Sequence, residues 1–227
     1  MRYYPVNLDV FGRKCLVVGA GAVASRKIAT LLECGAKVTV VSLGSCPAVD
    51  EMAGKSEIVL FRRAYEHDDL SGAFLVVCAT DNEDTNRRVA ADAEEAGVLH
   101  NIADRPELCS FVLPALVRRK DLVIAVSTAG KSPAFAKRMR KELEEKFGAE
   151  YGDFLDLMGA VRKVLLAEAH APEEHKGLFE RLIDENLMDA VRRKDRECAN
   201  AVLEKVLGPG FDSCSLCPEI FIKQDDV

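Results

Sequence analysis

The sequence predicts an α/β protein, with a doubly wound parallel sheet followed by a short strand pair and an α-helical C-terminal part. Three observations lead there. Strand-like apolar runs alternate with helix-like runs up to about residue 102. Two strand runs with no helix between them come next, and from Gly130 onward nearly everything to Leu207 has helical periodicity. At 227 residues, 48% hydrophobic and 30% charged, the chain is long enough for one good-sized core and a smaller second unit.

Taken in order, "KCLVV" (14–18) reads as a strand, "AVASRKIATLLEC" (22–34) as a helix stopped by Gly35, and "KVTVV" (37–41) as the next strand. The alternation continues through "EIVLF" (57–61), "AFLVVCAT" (73–80), an acidic helix (82–97) and the strand "VLHNI" (98–102). After "ADRPEL", the runs 109–119 and 121–128 are joined by a charged turn too short for a crossover helix, so they are expected to pair antiparallel. Beyond the helix of "KSPAFAKRMRKELEEKFG", the runs "FLDLMGAVRKVLLAEA" and "LFERLIDENLMDAVRRK" are helical, followed by an irregular tail. The boundaries are 1–112 for the sheet domain, 113–150 for the strand pair and its helix, and 151–227 for the helical part with its tail. No repeat at solenoid periods and no low-complexity linker interrupts them.

A net charge of -6 argues against a nucleic-acid partner, because phosphate neutralisation calls for a basic surface. The uncharged run Cys15 to Ser25 is too short to span a bilayer, and a cytoplasmic protein with no membrane association is expected. Of the eight cysteines, those at 15, 34, 46, 78, 109 and 198 are scattered, several within apolar runs, and read as small buried hydrophobes in a reducing compartment.

Gly19, Gly21 and Ala24 satisfy G-x-G-x-x-G/A between a strand and a helix, the context that makes the motif informative. Gly19 permits the tight turn, Gly21 lets the main chain approach a pyrophosphate, and Ala24 allows close helix-to-strand packing. No acid opens the helix, so its first N–H groups remain available to an anion. This is the signature of a Rossmann-type dinucleotide site.

The second strand ends in Ser42, Leu43 and Gly44 where an NAD-specific site usually has Asp or Glu, which leaves the ribose hydroxyls to Ser42 or the main chain. The nearest basic residue after that strand is Lys55, too distant in sequence to look like a 2′-phosphate anchor, and NAD is favoured over NADP. Ala22, Val23, Ser42, Leu43, Thr80 and Asn101 complete the expected cofactor-facing set with the motif residues.

Asp104 lies just past a strand end, on the side of a parallel sheet where ligands bind, and a carboxylate there can take the proton that accompanies hydride removal. From spacing alone, a turn residue before "RPEL" is an equal reading. Asn101 is open between orienting a ligand and closing a loop. His100 with Asp104 is a tentative metal pair, weighed against a structural histidine. Ser132 is an N-cap with Pro133 at N1, so the loop carrying Ser127, Thr128 and Lys131 forms an anion site. Most charges of "KRMRKELEEK" read as a solvated face, with Arg138 retained as a candidate contact.

Three stretches together, "FGRKCLVVGAGAVASRKIATLLECGAKVTVVS", "ATDNEDTNRRVAADAEEAGVLHNIAD" and "SFVLPALVRRKDLVIAVSTAGKSPAFAKRMRKELE", closely resemble the precorrin-2 dehydrogenase/sirohydrochlorin ferrochelatase family, the NAD-dependent module of sirohaem synthase. The similarity runs from about Tyr4 to Phe147 and more loosely beyond. It implies NAD-dependent oxidation of precorrin-2 to sirohydrochlorin, with Fe2+ as a substrate metal in bifunctional members. It also implies a homodimer interlocked through the 113–150 segment, with Asp104 at the position of the family's catalytic aspartate.

Two features depart from the resemblance. Cys214 and Cys217 form a C-x-x-C outside it, open between a redox pair, half of an intersubunit metal site, and an accessory tail packed on the helices. The sequence to Val227 leaves no room for a methyltransferase domain, so precorrin-2 is expected from a separate protein. Two other readings stand beside the dehydrogenase: a non-catalytic NAD(H)-sensing module, and a chelatase without dehydrogenation.

Overall fold

The structure is a computed structural model that describes residues 2–167 and 172–221. It divides into two compact units, Met1–Leu113 and Pro114–Val227. The first contains β1 (Lys14–Val18), α1 (Ala22–Glu33), β2 (Lys37–Val41), α2 (Pro47–Gly54), β3 (Ile58–Phe61), β4 (Leu75–Cys78), α3 (Glu83–Glu95) and β5 (Leu99–Ile102). All five strands are parallel in the order β3-β2-β1-β4-β5, the doubly wound sheet that the alternation predicts.

The sheet is held by residues that alternate between its two faces. Val17 and Val77 pack with Ala24 and Ile28 of α1 on one face, while Leu16, Val18 and Val76 pack with Val89 and Ala93 of α3 on the other. β4 is buried at every position, as a central parallel strand covered on both faces must be. Exposure rises at the edge, where the apolar Val59 and Phe61 of β3 face solvent.

The second unit begins with the antiparallel hairpin of β6 (Ala115–Arg119) and β7 (Leu122–Val126), in register Val117 to Ile124. α4 (Pro133–Lys146) follows, then α5 (Glu150–Ala167), α6 (Pro172–Asp184), α7 (Leu187–Arg192), α8 (Arg196–Leu207), α9 (Ser213–Leu216) and α10 (Pro218–Phe221). Leu157, Val161, Leu182, Leu187 and Leu203 form its core. The hairpin turn meets α5 through Lys120, whose ammonium contacts Asp153 at 2.7 Å and Asp156 at 2.5 Å. Among the described residues, no helix is long and apolar enough to cross a membrane.

Three differences from the sequence reading have physical causes. α2 was not expected, although Pro47 at its start is a helix-initiating signal. The strand expected from Cys109 begins only at Ala115, because Pro114 lacks the N–H that a ladder needs and residues 109–111 instead bond along β5, as in Ser110 N–H to the His100 carbonyl at 3.0 Å. The tail expected to be irregular forms the short helices α9 and α10, whose residues Cys217, Ile220 and Phe221 enter the helical core. Residues 168–169 of the expected helical run and the tail residues 222–227 lie outside the described residues.

Gly152 of α5 is buried where an added Cβ would stand 2.8 Å from the Arg119 carbonyl oxygen. Gly152→Ala is therefore expected to destabilise the protein by about 1–3 kcal/mol through overpacking. Urea denaturation followed by circular dichroism measures this, and an unchanged midpoint would contradict the close approach.

Candidate active site

The strand order reverses between β1 and β4, so the loops leaving their carboxyl ends diverge and open a crevice. A cleft of about 570 Å³ occupies this place, lined by the turn after β1, the exits of β2 and β3, and the loop after β4. Gly19 makes it possible: at φ +101°, an added Cβ would lie 2.4 Å from the Ala79 carbonyl oxygen. The β1 turn thus presses against the end of β4, where any side chain would intrude.

Gly21 is the N-cap of α1 and its outer side is open, with no atom within 4 Å of a Cβ position. No side chain caps α1 and no acid lies in its first turn, so the free N–H groups and positive helix end are open to an anion. Ala24 is fully buried against the sheet, while Ala22 and Val23 lie along the cleft. These features fit the pyrophosphate of a dinucleotide: a bare donor cradle, room at Gly21, and a packed residue beneath.

Beyond β2, the Ser42 hydroxyl donates to the Gly44 carbonyl at 2.6 Å and the Ser42 N–H reaches the Phe61 carbonyl at 3.1 Å. Leu43 is 81% exposed in the cleft wall, an apolar platform suited to a base. Arg63, Ala64 and Tyr65, just past β3, form the adjoining wall. The sequence reading missed them by counting along the chain from β2 to Lys55, which instead pairs with Glu51 at 2.7 Å and does not line the cleft. The parallel pairing of β2 with β3 is the signal that would have pointed there.

After β4, the Thr80 hydroxyl donates to Asn86 Oδ1 at 2.7 Å, and Asn86 Nδ2 returns a bond to the Thr80 carbonyl at 3.0 Å. The Cys78 thiol also points to Asn86 Oδ1, at 3.1 Å, and burial pushes that thiol up to about 12, keeping it a neutral donor. Asn86 is buried at the centre of these bonds and fixes the loop that lines the cleft; the sequence reading did not single it out.

Asp104 lies two residues past β5, exposed, at φ +60°, a left-handed conformation that Asp tolerates better than most residues. Cys109 organises its turn. The Cys109 thiol accepts from the Ile102 N–H at 3.2 Å and lies 3.3 and 3.1 Å from the carbonyl oxygens of Ile102 and Arg105. Arg105 is held in turn by Glu83 of α3. Burial and the neighbouring Arg26 keep the Lys27 ammonium of α1 below the usual lysine range, against the opposing pull of Asp104.

Asn101 does not line the cleft: its amide donates to the Phe111 carbonyl at 3.0 Å and packs against the Cys109 sulfur. The His100 ring turns to the Val98 carbonyl, 3.0 Å from Nδ1, and is 8% exposed, so it does not join Asp104. Among the described residues, no three His, Cys, Asp or Glu side chains gather as a metal set.

In the second unit, Ser132 caps α4 by accepting from the Phe135 N–H at 3.3 Å, and Pro133 follows at its first position. The preceding loop is shaped by left-handed Ala129 and Gly130, and by the Thr128 hydroxyl accepting from the Ser132 N–H at 3.2 Å. Ser127 Oγ accepts from the Ala129 N–H, and Lys131 is exposed beside them. Arg138 pairs with Glu142 at 2.8 Å on the helix surface. Cys217 is 5% exposed within the helical core, where burial raises its thiol pKa, and Cys214 packs against the same cluster.

The sheet, the glycine turn and the bare α1 terminus define a dinucleotide-binding protein of the Rossmann class. The family model of putative NAD(P)-binding proteins matches residues 6–115, and that of the central part of sirohaem biosynthesis proteins matches residues 119–146. The chain is thus similar to sirohaem-biosynthesis proteins through both its NAD(P)-binding unit and the segment that follows it. It is 34% identical over 222 residues to the sirohaem synthase of Thioalkalivibrio sulfidiphilus, covering 98% of this chain and 45% of that protein. The sirohaem synthase of Nitrosococcus oceani is 32% identical over 211 residues, covering 93% and 45%. The chain thus spans about half the length of the curated relatives it matches. Among solved structures, the precorrin-2 dehydrogenase SirC superposes with a TM-score of 0.71 at 27% identity, covering 89% of this chain and all of the other.

Because Gly19 has both a left-handed backbone and no space for a Cβ, Gly19→Ala is expected to weaken NAD+ binding at least about tenfold. Isothermal titration measures this; binding at wild-type strength would contradict the assigned cradle.

Proposed function

We propose that the chain oxidises precorrin-2 to sirohydrochlorin with NAD+. The observation that carries the reading is the glycine turn and bare α1 terminus opening on the same carboxyl end of the sheet as the exposed Asp104. The likeness to SirC along that whole chain supports it. The absence of a glutamate or aspartate after β2, with Leu43 and Ser42 in its place, leaves the ribose to the Ser42 oxygen and the main chain.

When bound, NAD+ supplies the hydride acceptor. Removing a hydride from a saturated carbon of the macrocycle makes a neighbouring C–H acidic, and Asp104 takes that proton. Its turn, pinned by Cys109 and by Arg105 on Glu83, presents the carboxylate at a fixed place. Gly19, Gly21, Ala22, Val23, Ala24, Ser42, Leu43 and Thr80 serve the cofactor, directly or by packing. Asn101 acts through the backbone of the 109–111 segment.

Precorrin-2 is fringed with carboxylates, and the loop of Ser127, Thr128, Lys131 and Ser132 at the acid-free start of α4 suits one of them. Arg138 contributes long-range attraction from the same helix. The 113–150 segment is the dimerisation element of a homodimer: a two-stranded hairpin is marginal alone, and Val123 on its open face, paired with Arg118, is 47% exposed. The buried thiols Cys15 and Cys78, packed as core residues, suit a reducing cytoplasm. Of the His100 and Asp104 pair, only Asp104 is open to a substrate Fe2+, and the proposal is for dehydrogenation.

The test is an anaerobic absorbance assay with precorrin-2 and NAD+, comparing the wild type with Asp104→Asn. Asparagine also tolerates the left-handed turn, so the fold is retained and only the base is lost. Sirohydrochlorin formation that falls about 100-fold or more in the variant is expected. Equal rates would remove Asp104 from the chemistry, and no turnover with NAD+ by the wild type would favour the sensing or chelating alternatives.

A further inference from the structure

Arg63 stands in the wall of the cleft beside Ser42, Leu43 and Gly44, the residues that replace the ribose-binding acid. A guanidinium in this wall would ordinarily suit the 2′-phosphate of NADP. Arg63 is, however, already engaged. Nη1 donates to Asp69 Oδ2 at 2.9 Å and Nη2 to Asp69 Oδ1 at 2.6 Å, a two-point fork, and Nη1 also reaches the Ala64 carbonyl at 3.0 Å. Nη1 thus has both of its N–H groups taken and Nη2 one of its two, so the two-point face of the guanidinium is turned to Asp69 rather than to a ligand.

Asp69 is well placed to hold it. Its side chain is only 7% exposed and also accepts from the Glu66 N–H at 2.9 Å, closing the cap of the 3-10 turn His67–Leu70. Lys14, which donates to the Asp69 and Ser71 carbonyls, is the other cation beside it, and the pair with Arg63 keeps the carboxyl below the usual range. The Arg63 side chain is 37% exposed and lies over the Phe61 ring, 5.3 Å from its centroid, which further fixes its plane. A 2′-phosphate approaching this wall meets an arginine whose charge is neutralised and whose fork is occupied, with the carboxylate behind it repelling the incoming charge.

We propose that Asp69 sets the cofactor preference: by holding Arg63 in a closed fork, it withholds the one guanidinium of the cleft wall from a 2′-phosphate and makes the site selective for NAD over NADP. This rests on the NAD reading above and explains how a site without the ribose acid still discriminates. Selectivity comes from an arginine kept out of use rather than from an acid at the end of β2.

The experiment is isothermal titration of NAD+ and of NADP+ into the full chain as wild type, Asp69→Asn, Asp69→Ser, and Asp69→Asn combined with Arg63→Ala. The wild type is expected to prefer NAD+ by about tenfold or more. Asp69→Asn keeps an acceptor for the Glu66 N–H but releases the arginine, and is expected to tighten NADP+ about tenfold while NAD+ changes by less than about threefold. Asp69→Ser also removes the carboxylate that holds the arginine and should shift the preference the same way, so the test survives if one variant fails to fold. The combined variant should lose the gain. NAD+ binding with an unchanged NAD+/NADP+ ratio in both single variants, or a gain that persists without Arg63, overturns this proposal alone. A wild type that binds neither dinucleotide overturns the cofactor reading and this proposal with it.

Discussion

The approach of Gly19 to the Ala79 carbonyl is the contact on which the rest of the first unit depends. It brings the turn after β1 against the end of β4, and from there α1 starts with its N–H groups unclaimed by any side chain. Side chains cap three of the longer helices, Asn82 for α3, Ser132 for α4 and Asp195 for α8, whereas α1 shares its bare start only with the short α2 and α7 among the helices whose caps are described. An uncapped terminus costs about 0.5–2 kcal/mol against a capped one. Here that loss leaves donors free at the place where the sheet opens.

Around this turn, the polar groups act mostly as scaffolding for loops. Asn86 ties the β4 exit, Cys109 ties the Asp104 turn, and Asp69 ties Arg63. Each is a compact, partly or wholly buried side chain with bonds to main chain or to neighbouring side chains, so the loops at the ligand-binding edge inherit the rigidity of the sheet. Asp104 itself is left exposed, and its backbone takes a conformation that its neighbours hold in place.

How much of this was legible depends on whether the information is local. The β1–α1–β2 unit could be read because its signal lies within a few residues: two glycines, one small packing residue and a strand period of two. Ser132 as the α4 cap is local in the same sense, and the structure places its hydroxyl on Phe135. α2 was missed because it has only eight residues, too few for its periodicity to outweigh the loop-like "SLGSC" before it. Arg63 and Asn86 act through partners brought near by folding, so counting along the chain led to Lys55 and to Asn101 instead. Asn101 illustrates the limit, since its partner Phe111 belongs to a stretch that reads as a strand until Pro114 is given its weight.

In the proposed site, the main chain at Gly21 to Ala24 receives a dinucleotide pyrophosphate and the β2–β3 exits receive its adenosine. A crystal structure of the chain soaked with NAD+ tests this most directly. Density is expected for the pyrophosphate on the first-turn N–H groups of α1 and for the adenine against Leu43. A dinucleotide bound elsewhere, with water alone at Gly21, would contradict it.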